Sequence, residues 1–81
     1  MPSTHQVVLY GASGCHLCED AASALRALRR TRAFDLVEVD IHGDPEIEKR
    51  YLFEIPVIEV DGVVVTQAPV EIERVREAVS G

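Results

Sequence analysis

Two cysteines, Cys15 and Cys18, are the residues of this chain whose type and spacing could do covalent chemistry. They stand in the run Cys15-His16-Leu17-Cys18 and are the only cysteines among 81 residues. A short apolar run, residues 6–10, and a loop, Gly11-Ala12-Ser13-Gly14, precede them; a helical pattern follows. Two thiols spaced C-x-x-C where a strand turns into a helix read as a dithiol/disulfide redox centre. The spacing brings both sulfurs within bonding reach on the first helical turn. Unpaired N–H groups and the partial positive charge of a helix N-terminus favour a thiolate there. Glu19, four residues after Cys15, opposes it, and Ala12 supplies no cation. His16 helps only when charged, and an unperturbed imidazole is mostly neutral near neutral pH.

Two other readings use the same residues. The thiols are incidental, or they bind metal. A structural zinc site normally takes four ligands, and the added candidates are His5, His16 and His42 plus carboxylates. A metal or cluster shared by two chains, each giving Cys15 and Cys18, is the remaining form of that reading. His16 reads as a solvent-facing residue of the motif, and His5 and His42 as residues without a role. Tyr10 is either a substrate contact or an aromatic at the edge of the core. Arg50 reads as part of a solvated helix face, with attraction of a substrate carboxylate as its other reading.

The elements that must position the pair follow from periodicity. Residues 6–10 form a short buried strand. Leu17, Ala21, Ala24, Leu25 and Leu28 recur at the spacing of one helix face. Glu19 and Asp20 at its start, and Arg29, Arg30 and Arg32 at its end, complement the helix dipole. Phe34–Asp40 alternates as a strand, with Val37 blurring the period. His42-Gly43-Asp44-Pro45-Glu46 is a loop feeding a short helix that ends near Leu52, with Asp44 as N-cap and Pro45 as first residue. Residues 56–60 and 63–66 flank Asp61-Gly62, a two-residue hairpin signal. Val63, Val64 and Val65 read as an apolar edge-hairpin candidate, with packing in the core as the default. Residues 69–79 form a last helix, with Val70, Ile72, Val75 and Val79 on its inner face and the charges of residues 71–77 in solvent. The order is β-α-β-α-β-β-α: an α/β mixed four-stranded sheet with three helices. The first two strands are parallel and the last two an antiparallel hairpin.

Size and composition bound the rest. The chain is one small domain, residues 1–81, with about half its residues apolar. Two cysteines are too few for a disulfide-stapled scaffold. The first six residues do not resemble a signal peptide, and no apolar run is long enough to span a membrane. The net charge of −6 argues against nucleic acid and anionic membranes as partners. A cytoplasmic location and a monomer are expected.

With these residues in view, the chain resembles the glutaredoxin branch of the thioredoxin superfamily. The likeness covers nearly the whole length. It rests on Val7-Val8-Leu9-Tyr10, Gly14-Cys15-His16-Leu17-Cys18, Val37-Glu38-Val39-Asp40 and the run from Ile55-Pro56-Val57 to Asp61-Gly62. The C-x-L-C form followed by acidic residues is most similar to a small glutaredoxin-like bacterial group. The resemblance implies a thioredoxin-like fold and a thiol–disulfide oxidoreductase. In it Cys15 attacks a disulfide and Cys18 resolves the mixed disulfide. It implies a cis bond before Pro56, and pairing of the Ile55 backbone with substrate beside Cys15. Substrate-binding residues are then Ile55, Pro56 and Tyr10. The implied partner is a disulfide-containing protein or a glutathione mixed disulfide, with no bound cofactor or metal and glutathione as the candidate co-substrate. Two features of dithiol glutaredoxins that hold glutathione are missing. Ala12 stands where they carry a lysine, and Thr66-Gln67-Ala68-Pro69-Val70 stands where they carry Gly-Gly and an aspartate. The alternative is a non-enzymatic thioredoxin-fold binding module, with a redox-insensitive surface or a metal or cluster held by Cys15 and Cys18 of two chains.

Overall fold

The strand before the cysteine motif, β1 (His5–Gly11), carries apolar side chains on both faces, as a central strand does. Val7 and Leu9 are buried on one face, and Val8 and Tyr10 are half-buried on the other. In the computed structural model, which describes residues 4–80, β1 pairs in parallel with β2 (Phe34–Asp40) and antiparallel with β3 (Val57–Val60). Met1, Pro2 and Ser3, part of the segment read against a signal peptide, and Gly81 lie outside the described residues. β3 pairs antiparallel with β4 (Val63–Gln67), so the strand order is β2-β1-β3-β4. Helix α1 (His16–Leu28) links β1 to β2; α2 (Pro45–Tyr51) leads to β3; α3 (Ile72–Ala78) follows β4. This is the β-α-β-α-β-β-α order and the mixed four-stranded sheet that the sequence implies.

The two faces of the sheet bury separate clusters. On one, Val7, Leu9, Ile58 and Val60 pack against Ala21, Ala22, Leu25 and Leu28 of α1 and Val75 of α3. On the other, Ile41, Tyr51 and Val57 pack with Tyr10, Ile47 and Ile55. Helices α1 and α3 therefore cover the face opposite α2.

Four local expectations need correction. The buried stripe of α1 is Cys18, Ala21, Ala22, Leu25 and Leu28, while Leu17 is 57% exposed and Ala24 only half-buried. Cys18 takes the first inward position, and Leu17, turned about 100° from it around the helix, points out. Ile41–Gly43 coils into a 3-10 turn where a loop was expected, because the Asp40 carboxylate accepts the His42 N–H at 2.9 Å. Asp44 then caps α2 as expected, accepting the Glu46 and Ile47 N–H groups, with Pro45 at the first position. Val63 and Val64 are exposed and only Val65 is half-buried, since β4 is an outer strand of the sheet. Finally, α3 begins at Ile72 rather than Pro69. The Glu71 N–H donates to the Thr66 hydroxyl at 3.0 Å, which holds the connection extended before the helix starts. Val70 therefore precedes the helix instead of opening it.

The hairpin turn is built as its sequence demands. Asp61 and Gly62 both have positive φ, 52° and 86°, the geometry of a two-residue turn that matches strand twist. Asp61 also ties the turn to the start of β1. Its carboxylate accepts the Gln6 N–H at 2.9 Å and meets His5 Nδ1 at 2.5 Å, and its own N–H donates to the Gln6 carbonyl at 2.8 Å. The Gln6 N–H, and then the His5 ring, hold the Asp61 carboxyl below its ordinary range.

Two outcomes follow from this packing. Leu25→Ala should cost about 2–5 kcal/mol in denaturant unfolding, and Leu17→Ala less than about 1 kcal/mol; equal losses would put Leu17 in the core. Asp61 has a folded pKa below its unfolded one, so its contribution is present above the unfolded value and lost as pH falls through the folded one. Asp61→Asn should therefore lower stability near neutral pH, with the gap from the native protein closing in strong acid. A gap independent of pH would show that the carboxylate charge has no part in it.

Candidate functional site

The redox pair is positioned by the way β1 hands over to α1. β1 ends at Gly11, and the chain turns through Gly14, whose φ of +77° suits glycine. Cys15 is the N-cap of α1 in extended conformation, with its N–H directed at the Ala12 carbonyl at 3.3 Å. Its sulfur accepts the Cys18 N–H at 3.1 Å, the cap role that an oxygen plays in most helices. Cys15 and Cys18 form a disulfide across a Cα–Cα distance of 5.2 Å. The two sulfurs are not equivalent: Cys15 is half-buried, whereas Cys18 is 5% exposed and packed inward.

Gly11 is a site residue that sequence reasoning missed. A Cβ there would lie 3.0 Å from Cys18 Cβ and 3.2 Å from Cys18 Sγ. The missing side chain is what lets the first turn of α1 settle against the end of β1. Its one sequence signal was a glycine closing a strand directly before the motif.

Two grooves flank this turn. On the β2 side, Cys18 and Glu19 share a polar groove with Ser23, Arg26, Glu38 and Asp40. Arg26 is already engaged there, donating to both oxygens of Glu38 at 2.7 and 2.9 Å. On the other side an apolar groove runs between Leu17 of α1, Pro56, and Ala68 and Pro69 of the β4–α3 connection. The Ile55–Pro56 bond is cis, as the resemblance implies, and so is Ala68–Pro69. Pro56 is fully buried, and Ile55 is half-buried against the second cluster.

Tyr10 is held on the opposite face of the sheet from Leu9. Its phenol donates to Glu59 at 3.3 Å, the Tyr51 phenol donates to the other oxygen of Glu59 at 3.1 Å, and the rings lie 4.8 Å apart. Burial first, and then Glu59, push both phenols above their ordinary range. Tyr10 thus packs in the same cluster as Ile55. The Arg50 guanidinium lies 5.9 Å from the Tyr51 ring centre. His16 is exposed, with Nε2 3.5 Å from Asp20, and His42 meets Glu48 at 2.8 Å. Among the described residues, no three of His, Cys, Asp and Glu gather as a metal-ligand set.

The family model described as "Glutaredoxin-like domain (DUF836)" matches residues 6–80. The chain belongs to this family. Solved structures agree with the match. A protein of Nitrosomonas europaea is 24% identical with a TM-score of 0.85, over 99% of this chain and 96% of that one. A protein of X. campestris is 32% identical with a TM-score of 0.69, over 88% and 91%. The oxidised mitochondrial thioredoxin 3 of Saccharomyces cerevisiae, 17% identical, superimposes with a TM-score of 0.68 over 93% and 76%, and shows the shared fold. No curated protein matches the chain. A glutaredoxin-like domain whose two cysteines stand at disulfide distance on a thioredoxin fold supports a redox-type function.

The close approach at Gly11 carries its own test. Gly11→Val should cost about 1–3 kcal/mol in denaturant unfolding, because the added carbons crowd Cys18. Unchanged stability would mean that α1 does not depend on this contact.

Proposed function

We propose that this glutaredoxin-like domain is a thiol–disulfide oxidoreductase in which Cys15 is the nucleophile and Cys18 the resolving thiol. The observation that carries it is the asymmetry of the pair. Cys15 reaches solvent at a helix N-terminus with an N–H aimed at its sulfur, and Cys18 is buried one turn behind. A partly exposed sulfur facing unpaired N–H groups is where thiolate chemistry is favoured.

The cycle balances within the pair. The Cys15 thiolate attacks one sulfur of a substrate disulfide; a new S–S bond forms and the other substrate sulfur leaves as a thiolate. Cys18, after losing its proton, attacks Cys15 Sγ, re-forms the internal disulfide and releases the second substrate thiol. Two electrons have passed from the protein to the substrate; two equivalents of an external thiol, leaving as their disulfide, restore the dithiol by the same exchange in reverse. The Cys18 N–H helps by holding the charge on the Cys15 thiolate before it attacks. Ile55 and Pro56 form the wall against which substrate lies, the Ile55 backbone pairing with its main chain. Tyr10 supports Ile55 from within the second cluster. The substrate is a protein disulfide or a glutathione mixed disulfide, and glutathione is the candidate electron donor. We place the protein in the cytoplasm, acting as a monomer. No described helix is long and apolar enough to cross a membrane.

The test is turnover of a glutathione mixed disulfide coupled to glutathione reductase, and in parallel reduction of a neutral small disulfide in a single turnover. Cys15→Ser should abolish both. Cys18→Ser should accumulate a covalent mixed disulfide on Cys15, visible as a mass increase in the intact protein. Full activity in Cys15→Ser would reject the proposal. Activity with the small disulfide alone would keep it and remove glutathione as donor.

A further inference from the structure

The apolar groove beside the redox pair has one charged residue in its lining. Its walls are Leu17, Ala21 and Ala24 of α1, Pro56, and the Ala68–Pro69 connection. Asp20 is the exception, with its carboxylate 64% exposed at the groove's edge and one turn along α1 from His16. Glu19, its neighbour in sequence, lines the polar groove on the β2 side instead. No lysine or arginine lines the groove. Of the arginines on α1 and α3, Arg26 is clamped by Glu38, and Arg74 and Arg76 pair with Glu71 and Glu73; the ring that meets Asp20 is that of His16, whose Nε2 is 3.5 Å away. Leu17 is the second observation. A leucine in the second position of a helix, 57% exposed and lining a groove with a buried proline, contributes apolar surface that no described residue covers.

From this we infer that the substrate of the proposed oxidoreductase is a polypeptide disulfide whose cysteine is flanked by an apolar and a basic residue. The apolar side chain lies between Leu17, Pro56 and Pro69, and the basic one is held by Asp20. Charge complementarity decides the class. A net charge of −6, with a carboxylate at the groove mouth, repels anionic disulfides and attracts cationic ones. Glutathione disulfide is anionic and lacks an apolar side chain of the required size, so it meets neither feature. The inference rests on the thiol–disulfide reading above. It adds which disulfides Cys15 receives, and it leaves the chemical step as written.

The experiment uses two short peptides, each with one cysteine beside a leucine and each blocked as a mixed disulfide with β-mercaptoethanol. One carries lysine and the other glutamate on the far side of the leucine. Release of the peptide thiol by the reduced protein is followed in single turnover, with bis(hydroxyethyl) disulfide as a neutral reference. At low salt the lysine peptide should react about tenfold faster than the glutamate peptide, the order expected for attraction replacing repulsion at one exposed carboxylate. Raising the salt to about 1 M, where the screening length is about 3 Å, should bring the two rates together. Asp20→Asn should shrink the ratio of the two rates. A general change in Cys15 reactivity moves both rates equally and leaves that ratio unchanged. Leu17→Ser should slow the lysine peptide relative to bis(hydroxyethyl) disulfide, which has no apolar side chain to place in the groove.

Equal rates for the two peptides at low salt would overturn the inference. So would a ratio that Asp20→Asn leaves unchanged. If the neutral reference is still reduced in a Cys15-dependent way, the oxidoreductase survives and only its specificity is wrong. If no disulfide is reduced, both fail together.

Discussion

The seating of Cys18 at the redox centre rests on the close approach that Gly11, without a side chain, allows. The first turn of α1 meets the end of β1 so closely that a Cβ at Gly11 would lie 3.0 Å from Cys18 Cβ. That contact buries Cys18, and its N–H then points at the Cys15 sulfur. Cys15 is left at the helix start, half in solvent, with the dipole behind it. One steric constraint therefore produces the inequality of the two thiols, and the proposed division into attacking and resolving sulfur follows from it. A close-packed interior transmits such constraints because it has few voids into which a displaced group can relax.

The two faces of the sheet divide the remaining work. The face under α1 and α3 carries a conventional aliphatic core, with Leu25 and Val75 fully buried. The other carries a smaller cluster in which two phenols share the Glu59 carboxylate. That carboxylate gives both phenols a partner, which a half-buried hydroxyl needs to avoid an unmet hydrogen bond. Ile55 packs against this cluster, and Pro56 lines the groove on the α1 side. The cis Ile55–Pro56 bond thus stands where the chain crosses from one packing face to the other.

The main elements were legible because each has a local physical cause. Asp44 and Pro45 open α2 since a carboxylate cap and a residue without an N–H both suit a helix start. Asp61-Gly62 forms the hairpin since both positions take positive φ. The errors share a different cause. Leu17 has the spacing of a core residue, and only the docking of Cys18 against Gly11 rotates the stripe away from it. Val63 and Val64 have the composition of buried strand residues, and only their place on an outer strand exposes them. Val70 has a helical spacing, and the Thr66 hydroxyl claims the Glu71 N–H before a helix can include it. His5 and His42 looked idle because their partners, Asp61 and Glu48, are met through the fold or across a turn.

By itself the sequence determined the order of elements, the mixed four-stranded sheet and the cysteine pair, since periodicity, caps, turn residues and C-x-x-C spacing all act between near neighbours; the thioredoxin-like fold was implied by the resemblance of its motifs to the glutaredoxin branch. Tertiary structure alone decided which thiol is buried, which leucine lines the groove, and which carboxylate stands at its edge. Those facts depend on residues far apart in the chain: Gly11 against Cys18, Leu17 across from Pro56 and Pro69, Tyr10 and Tyr51 on Glu59. Spacing fixes a side chain's direction on its own helix or strand, and only packing fixes what that direction faces.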